Sequence, residues 1–489
     1  MQSSFFSLTA TLSLTSSLLV TASFSSIAEE SPVLMNHQNI KQQDEAAKEN
    51  WAYSTGIQAY VFGLPMTIFD REYRIRTNPK LLARVRHLCP CAPPNQLGHM
   101  NKLATDKDNL PYTPNNDTVY SGAVFDVSEE PVILSLPDET ERYWSLQLTD
   151  QNLENFAYLG SRASEGKGGH FLFAGPDWRG KAPEDTTVIR TRENIFLGAI
   201  RIAVDQDIEG DLEKVQAMQA QMHTTSLSNW GKAFGKVNPV ALKRPNKKYQ
   251  GELPYFTKMA DLMMHSPPEP KHAAALAQFK TIGLVAGQAF EPEKLDTATL
   301  RGLQRAELDA YNIMRWKVKY RGTAYDTGWN NLHEGSYGYN YINRAEGALE
   351  GLIVHDREEA VYFSTYEDGQ GDLLDAGAEY VLHFEADEIP KVVGNGFWSL
   401  TMYGPDFQLV ENPINRYAIT DRSKGLHYND DGSLTIYIQR KPPEGNESNW
   451  LPTPSSGLFR INYRIYRPSE EASNPKTLHK YIPGIKKAG

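Results

Sequence analysis

Apolar and polar positions alternate along two separate stretches of the chain. From Val119 the pattern runs Val119, Ser121, Ala123 and Phe125 against Tyr120, Gly122 and Val124, the period of two that marks a strand. Short runs of the same kind follow at Val132 to Leu136, Tyr143 to Leu148, His170 to Phe173, Thr187 to Arg190 and Ile195 to Ala203, with turn residues between them. The pattern returns late in the chain, at Val361 to Thr365, Tyr380 to Phe384, Phe397 to Tyr403, Arg416 to Ile419, Ser433 to Gln439 and Leu458 to Tyr466. Several short strands at this spacing predict antiparallel sandwiches or barrels.

Elsewhere the period is helical. Ala46, Ala47, Trp51 and Ala52 start a pattern that continues through Ala59 and Tyr60 to Gly63-Leu64-Pro65. Leu212, Val215, Met218 and Met222 form one later face, and Leu300, Leu303, Tyr311, Met314 and Val318 another, at the spacings of buried helix stripes. Pro90 to Pro114 is rich in Pro, Asn and Gly and reads as a long ordered loop. The expected organisation is a leader over 1–28, an N-terminal helix with a first sandwich over 29–204, a helical insert over 205–350 and a second sandwich over 351–489.

The two β-regions align with each other. Tyr143-Trp144-Ser145-Leu146 is a near copy of Phe397-Trp398-Ser399-Leu400, Val119-Tyr120 matches Val361-Tyr362, Gly169 matches Gly432, and Phe196 with Arg201-Ile202 matches Phe459 with Arg464-Ile465. The order is preserved, so one β-unit used twice is the expected architecture.

Composition narrows the partners. A net charge of -10 over 489 residues, without long like-charge blocks, argues against a nucleic-acid footprint, which needs a clustered basic face. Small molecules or proteins, including further copies of the chain, are the expected partners. Phe5 to Ala28 is apolar and Ser/Thr-rich and ends in small residues, the form of a cleaved export signal, so a periplasmic or secreted protein is expected. No later run reaches the roughly 18 apolar residues of a membrane helix. Cys89 and Cys91 are the two cysteines; separated by one residue, they are expected to remain unlinked or to pair incidentally.

Familiar catalytic patterns fail on inspection. Gly335-Ser336-Tyr337-Gly338 lacks the glycine two residues before the serine that a nucleophile elbow needs. Gly175 to Lys181 has the spacing of a phosphate loop, but Ala182 and Pro183 follow, where Ser or Thr and a helix are required. The histidines are scattered, and no cofactor is expected. Calcium or magnesium at Asp368 to Asp372 or Asn429 to Gly432 is a minor alternative to the turn reading of both stretches.

What remains is a set of polar groups in patterned segments. Asn115, Asn116 and Asp117 stand at the mouth of a strand, Asp117 as the candidate acid or base. Arg344 and Arg416 are embedded among aromatics, either as structural forks on carbonyls or as anion clamps. Tyr337, Tyr341 and Trp450 are candidate aromatic walls for a ligand.

These motifs carry a resemblance. Pro114 to Ser121, Arg142-Tyr143-Trp144 and Gly175 to Gly180 resemble the N-terminal member of a bacterial family of paired domains of unknown function, number 1254. Phe397 to Tyr403, Asn412-Pro413, Asn415-Arg416-Tyr417, Asp431 to Leu434 and Asn449 to Pro452 resemble its partner domain, number 1214. The resemblance covers about Ala59 to Pro468. It implies two tandem jelly-roll-like antiparallel sandwiches with helical additions, mainly β, and no established activity. The functional expectation is a hydrolase-like exported enzyme acting on a polar or anionic small molecule; the alternative is a non-catalytic β-sandwich that binds carbohydrate or an envelope component.

Overall fold

The computed structural model describes residues 37–85, 89–108, 110, 113–240, 247–319, 322–332 and 334–488. The expected export signal, residues 1–28, lies outside the described residues.

The first β-unit contains β1 (Thr118–Asp126), β2 (Val132–Leu136), β3 (Trp144–Thr149), β4 (Asn155–Gly160), β5 (Gly169–Ala174), β6 (Thr187–Arg190), β7 (Ile195–Ala203) and β8 (His223–Ser226). One sheet runs β1-β7-β3-β4 and the other β6-β5-β2-β8. The second unit contains β9 (Ala360–Thr365), β10 (Tyr380–Phe384), β11 (Val392–Tyr403), β12 (Ala418–Thr420), β13 (Leu434–Gln439), β14 (Trp450–Pro452), β15 (Arg460–Pro468) and β16 (Lys486–Lys487). Its sheets run β9-β15-β11-β12 and β14-β13-β10-β16, the same order for these eight strands; two-residue edge strands extend the larger sheets, Gly98–His99 beside β1 and Asn330–Asn331 with Thr323–Ala324 beside β9. Even the exception repeats: β5 pairs with β6 in parallel, and so does β13 with β14, while the other pairings are antiparallel. The chain is mainly β, two sandwiches in tandem with helical additions.

Each sandwich closes on its own apolar core. Phe125, Trp144, Leu146, Phe196, Ile200 and Ile202 fill the first with Val132, Leu134 and Phe173 from the facing sheet. Trp398, Leu400, Ile461, Tyr463 and Ile465 fill the second with Leu382, Ile436 and Ile438. The first unit extends past residue 204: Met218 and Met222, expected on a face of the helical insert, pack into its core, and β8 completes its second sheet.

The helical layer consists of α1 (His37–Thr77), α2 (Pro254–His265), α3 (Ala273–Lys280), α4 (Thr297–Lys319) and α5 (Tyr341–Glu350). Its core joins Phe62, Met66 and Phe69 of α1 to Met259 and Met263 of α2 and Leu303 and Met314 of α4. Helix α1 is longer than its sequence pattern at both ends. It is already helical at His37, the first described residue, since Gln, Lys, Glu and Ala before Trp51 are good helix formers with no Gly or Pro among them. It runs through Pro65 to Thr77 because burial of nearly every side chain from Ala59 to Asp70 outweighs the donor that proline removes. No helix among the described residues is long and apolar enough to cross a membrane.

The two sandwiches meet through the outer faces of their larger sheets. Alternation puts Trp144 and Leu146 inward and Ser145 and Gln147 outward; on the duplicate strand Trp398 and Leu400 point inward and Ser399 and Thr401 outward. These outward residues are nevertheless buried, because Tyr143, Ala203, Ala360, Phe397 and Tyr466 pack the two sheets together at one end. Tyr143 Oη donates to Glu359 at 2.9 Å across that contact. A sheet face that is polar and buried must satisfy its polar groups within the protein or with a ligand.

Candidate functional site

The central strands β7 and β15 carry an arginine at the same register position. Arg201 lies opposite Tyr120 on β1 and Ser145 on β3; Arg464 lies opposite Tyr362 on β9 and Ser399 on β11. Both guanidiniums project from the outer sheet faces into the space between the sandwiches, and both residues are 5 % exposed.

That space is a cavity with two lobes. The first, about 140 Å³, is bordered by Arg76, Lys102, Asn115, Tyr120 and Arg201, with no carboxylate among its described lining residues. The second, about 100 Å³, is bordered by Tyr120 and Arg201 again, by Tyr362, Asn462, Arg464 and Tyr466, and by the carboxylates Glu346 and Glu350. Thr113, Asn115, Gly351 and Ile353 border both lobes, which makes them one space. The segment after α5 forms its roof, with Ile353 O accepting from Arg201 Nη2 at 2.9 Å.

The two arginines are held by neutral partners. Arg201 Nη1 donates to Gln147 Oε1 at 2.7 Å and to His355 Nε2 at 3.0 Å. Arg464 donates to Thr401 Oγ1 at 2.8 Å and to Tyr403 Oη at 2.7 Å. Among the described residues neither is joined to a carboxylate as an ion pair, whereas Arg460 beside them is paired with Glu350 at 3.1 Å. The contact with Arg201 also fixes His355. A guanidinium can only donate, so Nε2 accepts and the ring proton sits on Nδ1. Burial and the Arg201 charge hold this imidazole well below its ordinary pKa. Ser145 Oγ lies 3.2 Å from the same Nε2, but that nitrogen already serves Arg201, so the pair is not a nucleophile with a free base.

The sequence candidates divide around this cavity. Asn115 lines both lobes, donating to Tyr466 Oη at 2.7 Å and accepting from Asp117 N at 2.7 Å. Asp117 stands behind the wall: it is buried, accepts from Ser399 Oγ at 2.5 Å, and its carboxyl is pushed up by burial against the opposing pull of Arg464. Asn116 is held by Ala104 O and Gln206. Arg344 lies in the helical layer, donating to Phe62 O at 3.2 Å and stacked over Phe62 and Tyr341. Tyr337 packs beneath Gly347 of α5, and Tyr341 is bonded to His272 Nδ1 at 2.9 Å beside a separate apolar groove. Arg416 donates to the carbonyls of Glu447 and Trp450 at 2.7 and 2.9 Å, and Trp450 is buried with its indole N–H on Gln439 O. The structure therefore brings Asn115 to the cavity with Asp117 behind it and places Arg344 and Arg416 elsewhere. It adds Tyr120, Tyr362, Arg201, Arg464 and Tyr466, four of which the internal alignment had already matched in pairs.

Of the two outcomes left open for Cys89 and Cys91, the structure shows the pair: they are joined as a disulfide. A hydrogen bond from Cys91 N to Cys89 O at 2.8 Å folds Cys-Pro-Cys into a tight turn, and its 5.2 Å Cα separation is within bridging range. Cys89 and Pro90 form part of the wall of the first lobe. The two candidate cation stretches are turns, with Asp368 Oδ1 accepting from Gln370 N and Asp372 N and Asp431 Oδ1 from Ser433.

Residues 94–226 match the family described as a protein of unknown function, DUF1254, and residues 359–470 match DUF1214, described in the same words. No curated protein matches the chain. Among solved structures, the VPA0106 protein from Vibrio parahaemolyticus is 24% identical, with 90% of this chain and 100% of that chain covered at a TM-score of 0.66, and shares the fold. An uncharacterized protein from Burkholderia cenocepacia aligns at 11% identity over 92% of this chain and 97% of its own, with a TM-score of 0.41.

Proposed function

Because the chain belongs to the proteins that join a DUF1254 domain to a DUF1214 domain, and neither domain brings an activity with it, we propose a function from the cavity alone: it binds a small anionic molecule between the two sandwiches. The observation that carries this reading is the pair of buried guanidiniums, Arg201 and Arg464, that line the cavity with no ion-pairing carboxylate among the described residues. Placing such charges in a low-dielectric interior costs several kcal/mol each unless something negative sits beside them. Arg76 and Lys102 at the first lobe add positive field, though each already has a partner, Glu72 at 3.2 Å and Asp108 at 2.7 Å.

Binding is better supported than hydrolysis. Besides Glu346 and Glu350, which are ion-paired with Lys317 and Arg460, the lining offers phenols, amides and guanidiniums, which hold and orient an anion, while the Ser145 and His355 contact has its base nitrogen engaged. Asp117, the acid or base expected from sequence, is separated from the cavity by the Asn115 wall and Ser399. An exported chain would meet its ligand outside the cytoplasm.

Isothermal titration of the protein with inorganic phosphate, acetate and citrate, alongside neutral mono- and disaccharides, tests the proposal. Saturable heat with at least one anion, weakened about tenfold or more in Arg201→Met, is the expected result. Binding of a neutral sugar with no anion response would replace it with the carbohydrate reading.

A further inference from the structure

The duplication says what kind of anion fits. Resting on the anion reading above, we propose that the ligand is a compact dianion with two separate anionic ends, of the short-chain dicarboxylate class, one end held by Arg201 with Tyr120 and the other by Arg464 with Tyr362.

Register comes first. Tyr120 is the cross-strand partner of Arg201, as Tyr362 is of Arg464, so each sandwich contributes one guanidinium and one phenol at matching positions. All four side chains border the second lobe. Tyr362 lies close enough to both guanidiniums to feel the charge of each, so the two positive groups share one space.

Donor capacity points the same way. A guanidinium carries five N–H groups. Arg201 commits three of them, to Gln147, His355 and Ile353 O, and Arg464 two, to Thr401 and Tyr403. The hydroxyls of Tyr120 and Tyr362 have no hydrogen-bond partner among the described residues, and neither is sealed in the core. Each half thus leaves a fork of N–H donors and a phenol open, the set that a carboxylate accepts from.

Charge counting argues against a monoanion as the matched ligand, and the two guanidiniums, one from each sandwich, favour two anionic ends over one compact group. One monoanion would neutralise one guanidinium and leave its duplicate buried and unpaired. The two carboxylates that border this lobe do not fill that role: Glu350 is paired with Arg460 and Glu346 with Lys317 at 2.8 Å. Asp117 faces Ser399, and burial favours its neutral form. The modest volumes of the two lobes favour short chains over extended ones.

The test is calorimetric titration at fixed ionic strength with succinate, glutarate and adipate against acetate and butyrate, on wild type, Arg201→Met and Arg464→Met. At least one dicarboxylate is expected to bind about tenfold or more tightly than either monocarboxylate, and each single variant to reduce it to monocarboxylate affinity. Monocarboxylates binding as tightly as every dicarboxylate would overturn the dianion while leaving the anion reading intact. Arg464→Met leaving dicarboxylate affinity unchanged would do the same. No heat with any anion here or in the earlier panel would remove both. The wild-type comparison alone decides between mono- and dianion if a variant fails to fold.

Discussion

Arg416 and Arg201 look alike in the sequence, each a basic residue in an apolar stretch, yet they do different work. Arg416 ties the turn before β14 by donating to the carbonyls of Glu447 and Trp450. Arg416→Met is expected to lower unfolding free energy by about 1–3 kcal/mol in urea titrations while leaving anion affinity unchanged. Arg344 and Arg416 have aromatic neighbours along the chain, whereas Arg201 and Arg464 meet Tyr120 and Tyr362 across the sheet. That pairing is visible only once the two halves are aligned and the shared polar positions are asked why they recur. Asp150 offers a second check at this scale. Burial and the neighbouring Glu193 charge, opposed by Arg192 and Arg344, raise its carboxyl to about 7. A raised acid means that the folded state binds more protons, so stability should fall as pH rises from about 4 to 7, by up to about 1.4 kcal/mol per pH unit. Asp150→Asn should flatten that slope in denaturant titrations across the range; an unchanged slope would assign it to other groups.

At the scale of elements, strands were more legible than helices. Alternation located most strands of both sandwiches, because one face of each is apolar and packs in its own core, but not Asn155–Gly160 or His223–Ser226, whose polar residues hide the pattern. The same alternation could not say that the polar faces are buried as well, since that depends on the other sandwich. The apolar pattern of helix α1 stops at Pro65, whereas the surrounding layer carries the helix on to Thr77. Its packing against α4 depends on small residues. A Cβ on Gly302 would meet the Glu49 carbonyl oxygen and lie 2.7 Å from Ala52 Cβ. Gly302→Ala should therefore destabilise by about 1–3 kcal/mol through overpacking, even though alanine favours an isolated helix by about 1 kcal/mol. A gain in thermal midpoint would mean that the helices can separate.

For the whole molecule, the contacts between halves make them one cooperative body. Asn115 bonds Tyr466, Tyr403 Oη donates to Pro114 O at 2.6 Å, and Asn395 Nδ2 donates to Arg142 O at 2.9 Å. Scanning calorimetry should show a single transition with matching calorimetric and van't Hoff enthalpies; two resolved transitions would mean that the sandwiches unfold separately.

The duplicated serines have diverged in their surroundings: Ser145 sits beside His355, while Ser399 donates to Asp117. Two identical subunits around a twofold axis would have to keep both ends of such a site the same. Fusion into one chain lets each end mutate alone, so the cavity has a head and a tail. A ligand with unlike ends would enter it in a single orientation, and mirror-image forms of that ligand would become distinguishable.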